Sequence, residues 1–260
     1  MTDAGGAEAD DWIYWTGCAA NYDRRIGLVV AATVKVLRAG GMRLRFLGRE
    51  EACTGDAARR LGEEGLFQQL ALQNIETLTR HRARRIVTHC AHCYHTLKNE
   101  YPRFGGAFEV RHHSEVIAEL IGAGRIRLRR EASLSVTLHD SCYVGRYNRI
   151  FEAPRRALGA ALEVKEMPRH GDRSFCCGAG GANYWYDAKK TTTAGVLRMQ
   201  EAKATGAKVV AAECPFCIKM LEQGAQALPP DETLTVRDIA EIVADSLEEP
   251  AVPDEPPTSE

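Results

Sequence analysis

No stretch of this 260-residue chain reads as a membrane span. The longest apolar run, Ile26 to Leu37, is helix-length and is interrupted by Thr33 and Lys35, well short of the ~20 apolar residues a span requires. The N-terminus is small and acidic, with no basic region leading into an apolar one, so no secretory signal is expected. An excess of one charge is missing as well. The 34 Lys and Arg against 35 Asp and Glu leave a formal net charge of −1, which gives no reason to expect nucleic acid as a partner. There is no ferredoxin-type run of closely spaced Cys-x-x-Cys-x-x-Cys and no flavin or nicotinamide fingerprint. The chain is therefore not expected to accept electrons unaided from a soluble two-electron donor.

What the sequence does have is cysteine, and the cysteines repeat. Cys18, Cys53, Cys90 and Cys93 return at one constant spacing of 124 as Cys142, Cys177, Cys214 and Cys217. Cys176 stands outside the pairing and falls on Ala52. Four coincident spacings imply two copies of one sulfur-lined module, one carrying an extra thiol. Nine cysteines without an export signal argue for reduced thiolates, and an odd count fits poorly with full disulfide pairing. Metal or redox sulfur is the expected use.

The 45% hydrophobic content is that of a packed globule. The ends, residues 1–10 and the acidic, Pro-rich 248–260, are expected to be disordered. Between them lie a first half, 11–124, and a second, 132–247, joined through a Gly-, Arg- and Leu-containing stretch near 122–131.

Strands are expected at 12–15, 44–47, 85–88 and 108–111, then at 134–138, 162–166, 208–212 and 234–236. A helical stripe runs Ile26, Val29, Val30, Thr33, Val34, Leu37 and stops at Gly40-Gly41. Another runs Leu66, Phe67, Leu70, Ala71, Asn74, Ile75, Leu78. Alternating short strands and helices predict an α/β fold of two tandem, similar Rossmann-like halves with mostly parallel sheets, related by a pseudo-twofold. A last helix in each half carries a lookalike, Ile117-Ala118-Glu119-Leu120-Ile121 and Ile239-Ala240-Glu241-Ile242-Val243, with the register slipped by two.

In such a sheet the loops after the strands converge at one edge, so cysteines distant in sequence are expected to meet, one site per half. Each Cys-x-x-Cys follows a strand and opens a helix, with Pro215 suited to the first helical turn. Helix N-terminal N–H groups favour thiolates and the sulfides of a cluster. Tetrahedral zinc takes four thiolates, whereas the second half offers five, and adjacent cysteines point in different directions. A multi-iron cluster accepts thiolates from several sides, and the glycines at 178, 180 and 181 let backbone approach sulfur.

The pattern Cys142, Cys176-Cys177-Gly178, Cys214-Pro215-Phe216-Cys217 resembles the cysteine-rich CCG domain of heterodisulfide reductase-like iron–sulfur oxidoreductases. The flanks His139-Asp140-Ser141 and Ser174-Phe175, with Ala179-Gly180-Gly181, look like its bacterial, flavoprotein-linked branch. The resemblance covers about residues 12–247. It implies a non-cubane [4Fe–4S] cluster on Cys142, Cys176, Cys177, Cys214 and Cys217. It also implies an electron-transfer role between a flavoprotein or ferredoxin-type donor and a membrane quinone-reducing partner or a disulfide. The implied place is the cytoplasm, or the inner face of the membrane through a partner.

The first half departs from the family pattern at Ala52 and Thr54, although Cys53-Thr54-Gly55-Asp56 looks like a variant of the same branch. Cys18, Cys53, Cys90 and Cys93 are expected to hold a second [4Fe–4S] cluster or zinc, the latter with all four thiolates or with three and one imidazole of His89, His92 and His95, an empty or purely redox-active thiol site being the remaining alternative. Two other functions stay open at this point: a thiol–disulfide oxidoreductase, and a zinc-stabilised scaffold without redox chemistry.

Other residues carry paired readings. His92 and His95 are ligands or proton donors, or a polar helix turn. His95 and its equivalent Lys219 offset cluster charge, or lie on the surface. His139 and Asp140 line the second site, or tie down a strand end. Tyr184 and Trp185 shield the cluster, or pack in the core, which is the expected role. The basic run Arg80 to Arg85, and Arg125, Arg127, Arg129 and Arg130, are expected to be solvated surface, with partner docking the alternative.

Overall fold

The computed structural model describes residues 11–131, 133–186, 193–229 and 234–248. The two expected disordered ends, apart from Glu248, lie outside the described residues, as does Ala132 at the start of the second half.

In chain order the first half holds β1 (Trp12–Trp15), α1 (Cys18–Tyr22), α2 (Arg24–Ala39), β2 (Leu44–Arg45), α3 (Asp56–Arg60), α4 (Glu64–Arg80), β3 (Arg85–Thr88), α5 (Ala91–His95), β4 (Glu109–His112) and α6 (His113–Gly122). The second holds β5 (Ser135–Leu138), α7 (Glu152–Gly159), β6 (Glu163–Val164), α8 (Ala194–Ala204), β7 (Val209–Ala212), α9 (Pro215–Ala225), β8 (Thr235–Asp238) and α10 (Ile239–Ser246). Each half is a four-stranded sheet, in the orders β2-β1-β3-β4 and β6-β5-β7-β8, with every pair parallel. The first strand is central in both, and the chain leaves it to one side and returns on the other. That switch point opens a crevice beyond the carboxyl ends of β1 and β3, and of β5 and β7, where the cysteine loops begin.

The strands read as near-continuous apolar runs because helices cover both faces. Ile13, Tyr14 and Trp15 are buried, as are all four residues of β5 and β7. Asp23 caps α2 through Arg25 N–H at 2.8 Å, and the helix buries Ile26, Val29, Thr33, Val36 and Leu37. It ends at Ala39, before the Gly40-Gly41 pair.

The two halves exchange helices. α2 packs on α10, and α7, its counterpart, packs on α6. The same contact made in both directions is what a twofold requires. One core runs through it, with Val36, Leu37 and Ile117 meeting Ala157, Leu158, Ile239 and Val243. Arg25 crosses the boundary to Glu222 and Glu241 at 2.8 and 2.7 Å, and fully buried His113 reaches Asp238 at 2.8 Å. The stretch joining the halves is itself tied down: Leu128 bridges Leu247, and Glu248 N–H donates to Arg127.

The lookalike pentapeptides of α6 and α10 are not equivalent in space. Both helices open with a capping box, His112 with Glu115 and Asp238 with Glu241. Glu241 therefore corresponds to Glu115 rather than to Glu119, because the cap, not the local apolar pattern, sets where each helix starts.

α8 and α9 approach so closely that a Cβ on Gly224 would lie 2.6 Å from the Gly195 backbone carbonyl. This contact seats the helix that carries Cys217. Gly224→Ala is expected to lower stability by about 3 kcal/mol, since backbone rather than a yielding side chain must move. Urea unfolding checks it, and a change under ~0.5 kcal/mol, the range of an ordinary surface substitution, would show that the helices can part.

Candidate functional site

All nine cysteines are free thiols, gathered at the carboxyl ends of the two sheets. In the second half, Cys142 follows β5, the Cys176-Cys177 doublet lies in the loop before α8, and Cys214 caps α9 with Cys217 in its first turn. Pro215 stands at the first helical position as expected. Cys177, Cys214 and Cys217 are buried, while Cys142 and Cys176 are half-buried.

The five second-half sulfurs form one array. Cys177 Sγ lies 3.3 Å from Cys217 Sγ, Ser141 Oγ donates to Cys217 Sγ at 3.5 Å, and Gly178 N–H donates to Cys176 Sγ at 3.3 Å. Hydrogen bonds from Cys142 and Cys177 hold the Cys176 thiol well below its usual pKa, and the Cys142 thiol is correspondingly raised. Burial pushes Cys214 up, but hydrogen bonds from Cys217, Cys90 and His92 bring it well down. Such an array already favours thiolate at chosen positions.

The first half repeats the plan with four sulfurs. Cys18 follows β1, Cys53 precedes α3, and Cys90 and Cys93 open α5. Gly55 N–H donates to Cys53 Sγ at 3.5 Å, and Thr54 Oγ1 to Cys93 Sγ at 3.9 Å. A hydrogen bond from Cys18 lowers the Cys53 pKa to about 6. Cys90 also hydrogen-bonds Cys214, so the two arrays touch across the boundary between the halves.

The histidines divide. His92 is buried between the arrays. Burial opposes its charge, but its bonds to Asp56 at 2.7 Å and to Cys214 raise its pKa to about 10. Asp56 also accepts from Arg60 at 3.2 Å and from Tyr143 of the second half at 3.3 Å. His92 is thus no part of an ordinary solvated turn: it is held where the halves meet, on Asp56 and edge-on to Tyr143 and Phe216. His95 stacks on Tyr143, and Lys219 pairs with Asp23 at 3.0 Å. His89 turns away to Tyr14 at 2.8 Å, and burial pulls its pKa down to about 4.

His139 does line the second site. One of its ring nitrogens lies within 4.8 Å of the Cys177 and Cys217 sulfurs. Arg198 donates to its Nδ1 at 3.2 Å, and burial and then Arg198 depress its pKa to about 4, so it is a neutral neighbour of the thiols. Asp140 instead clamps the loops, accepting from Arg155 at 2.7 Å and from Gly171 N–H at 2.8 Å.

Tyr184 is half-buried, but Trp185 is 58% exposed, so core packing fails for the indole. The turn through Ala182, at φ +63°, carries both rings across the other half. With Phe216 they roof a cavity of about 40 Å³ over Cys18, Cys53, Cys93 and His92. Cys142 and Cys176 instead face an open cleft of about 500 Å³ that Tyr143, Arg146 and Tyr147 also line. In the basic run, Arg80 and His81 pair with Glu50, as on an ordinary solvated face.

The sequence reading assigned no role to Asp56, Tyr143 or Arg198, and its cysteine spacing set Thr54 opposite Gly178 rather than Cys177. A signal for Thr54 was present: Cys53-Thr54-Gly55 and Cys176-Cys177-Gly178 share the Cys-x-Gly spacing.

Comparison with known proteins agrees with this arrangement. The cysteine-rich domain (CCG) family matches twice, at residues 12–98 and 136–222. A probable iron-sulfur-binding oxidoreductase, FadF, of Bacillus subtilis is 37% identical over 91% of this chain and 34% of its own length. The EtfAB:quinone oxidoreductase of Syntrophomonas wolfei is 35% identical over 92% of this chain and 34% of its own length. One component of the dihydromethanophenazine:CoB–CoM heterodisulfide reductase of Methanosarcina barkeri is 36% identical over 91% of this chain and 59% of its own length. The chain thus spans between a third and three fifths of these relatives. A hypothetical protein from Helicobacter pylori shares the fold, with a TM-score of 0.62 at 11% identity over 94% of this chain and 50% of that one. No helix among the described residues is long and apolar enough to cross a membrane. With both sulfur arrays inside the two matched segments, the chain belongs to the cysteine-rich domain family and carries that domain in tandem.

Proposed function

We propose that this chain is the iron–sulfur electron-transfer module of a larger oxidoreductase, built from the halves 11–124 and 132–247. The observation that carries the reading is the five-sulfur array of the second half, with Ser141 and Gly178 donating hydrogen bonds to its sulfurs. The donor set fits a cluster. Its thiols lie close but unbonded, three are buried, and five exceed what tetrahedral zinc takes. Cys142, Cys176, Cys177, Cys214 and Cys217 would hold a non-cubane [4Fe–4S] cluster, which when bound supplies one-electron chemistry. Cys18, Cys53, Cys90 and Cys93 would hold a four-thiolate centre, a second cluster or zinc.

The chain's own residues shape the exchange. Cys142 and Cys176 stand at the floor of the open cleft, where a partner's redox group can approach. Tyr184, Trp185 and Phe216 line the small cavity over the first array, where Cys18 and Cys53 stay half-buried. The relatives' names support a flavoprotein on one side and a quinone-linked acceptor on the other. Membrane attachment would then come through a partner. Disulfide reduction is the second reading, favoured by the heterodisulfide reductase relative and by a cleft large enough for a small disulfide.

The test is anaerobic purification with iron, acid-labile sulfide and zinc counted per chain, together with EPR of the oxidised and reduced protein. About four irons and four sulfides, with either one zinc or about four further irons, are expected. Zinc alone after anaerobic reconstitution would leave only a scaffold.

A further inference from the structure

The constant spacing of 124 puts Cys53 on Cys177 and leaves Ala52 opposite Cys176. The contacts match differently. Cys53 and Cys176 each accept from the glycine N–H two residues on, and those glycines have φ +85° and +97°. Both cysteines are half-buried, and each is hydrogen-bonded by the first cysteine of its own half. Thr54 and Cys177 follow them, and both are 2% exposed. Each turns inward to the last cysteine of its array, Thr54 to Cys93 at 3.9 Å and Cys177 to Cys217 at 3.3 Å. Behind each loop a helix residue supports it, though through different atoms. Asn74 on α4 holds the backbone of Ala52 and Cys53, and Arg198, at the equivalent place on α8, holds Ser174. The doublet loop is one residue shorter in its register than the cysteine spacing indicates, and what the first half lacks is the inner cysteine, not the outer one.

We propose that Thr54 sets the ligand number of the first centre: its hydroxyl occupies the place of the inner thiolate, and Thr54→Cys alone would give the first half the sulfur set of the second. The inference rests on the iron–sulfur reading above. A threonine hydroxyl stays protonated at neutral pH and is a weak ligand to iron, whereas a thiolate at this buried place would complete the five-sulfur array. Space favours the exchange, because losing the threonine methyl makes room for the larger sulfur beside Cys93.

The full chain is compared as wild type, Thr54→Cys and Thr54→Ser, each purified anaerobically and reconstituted with iron and sulfide. In Thr54→Cys the EPR spin intensity of the second-centre signal is expected to rise about twofold, and the separate signature or zinc of the first centre to vanish. Thr54→Ser should change neither. Unchanged intensity in Thr54→Cys overturns the proposal. In parallel, each chain as purified is treated with diamide and its cysteine pairs are mapped by mass spectrometry. The introduced thiol is expected to pair with Cys93, as Cys177 pairs with Cys217. Pairing with Cys18, or none, overturns the register. Should the wild type bind no iron, the functional reading fails, while the cross-link still decides whether Thr54 holds the inner place.

Discussion

Cys217→Ala is expected to abolish the second centre, with iron and acid-labile sulfide each falling by about four per chain, while Cys93→Ala leaves that centre intact. Cys217 is tied into its array by three partners. It lies 3.3 Å from Cys177, accepts from Ser141 at 3.5 Å, and hydrogen-bonds Cys214. It is buried on the first turn of α9, so no water can take the place of the missing thiolate. Cys142 differs in being half-buried beside the open cleft, where solvent can fill a vacant position. Loss of Cys142 should therefore damage the centre less than loss of Cys217. Metal and sulfide counts on the three purified variants check the order. Full sulfide retention in Cys217→Ala would place the cluster elsewhere.

The two arrays are alike in plan, each with two half-buried sulfurs, and differ in what lies over them. The second opens onto a cleft that reaches two of its sulfurs, whereas the first is roofed by rings from the other half. The asymmetry follows from the loops. After Cys177 the chain runs through glycines and the left-handed Ala182, which swings Tyr184 and Trp185 across the boundary. After Cys53 it enters α3 within three residues, where Asp56 is spent on His92, Arg60 and Tyr143. Electrons entering at the cleft would meet the second array first, and the Cys90–Cys214 hydrogen bond joins it to the other.

Strands were legible in the sequence because each is a short apolar run between helices, and β1, β3, β5 and β7 fall within a residue of their expected bounds. The edge strands β2 and β6 shrink to two residues, the two that pair with β1 and β5, while the opposite edges β4 and β8 keep four. The convergence of the cysteines was legible from topology alone. The contacts between halves were not. His92 reads as one histidine of a polar turn until Asp56 and Tyr143, distant in sequence, close around it. Trp185 reads as core because an indole usually is, and only the backbone turn at Ala182 shows otherwise. The register of the doublet was hidden because one residue fewer before it and one more after it leave the other cysteine spacings unchanged. Hydrogen bonding, not spacing, distinguishes the outer sulfur from the inner.

Arg198→Met is expected to cost about 3 kcal/mol and to loosen the second array from behind, because it removes a buried cation that other groups depend on. Arg198 is fully buried on α8. It donates to His139 at 3.2 Å, to Ser174 at 3.3 Å, to the Arg169 carbonyl at 2.8 Å and to Glu201 at 2.8 Å. Burial lowers its pKa, an opposing cost that Glu201 partly offsets and that its loss would return. Glu201 keeps a second partner in Arg169 and suffers less than the others. His139 and the Arg169 carbonyl lose a donor outright. Ser174 keeps the Asp140 carbonyl, but the loop that leads into Cys176 loses its anchor to α8. Methionine fills much of the space, so the loss is polar rather than a cavity. Urea unfolding of the two chains measures the stability. Iron release to a chelator measures the site, and it should be faster in Arg198→Met while the first centre is unaffected. A stability within ~0.5 kcal/mol of wild type would mean that the cost of burying the guanidinium cancels what its hydrogen bonds contribute.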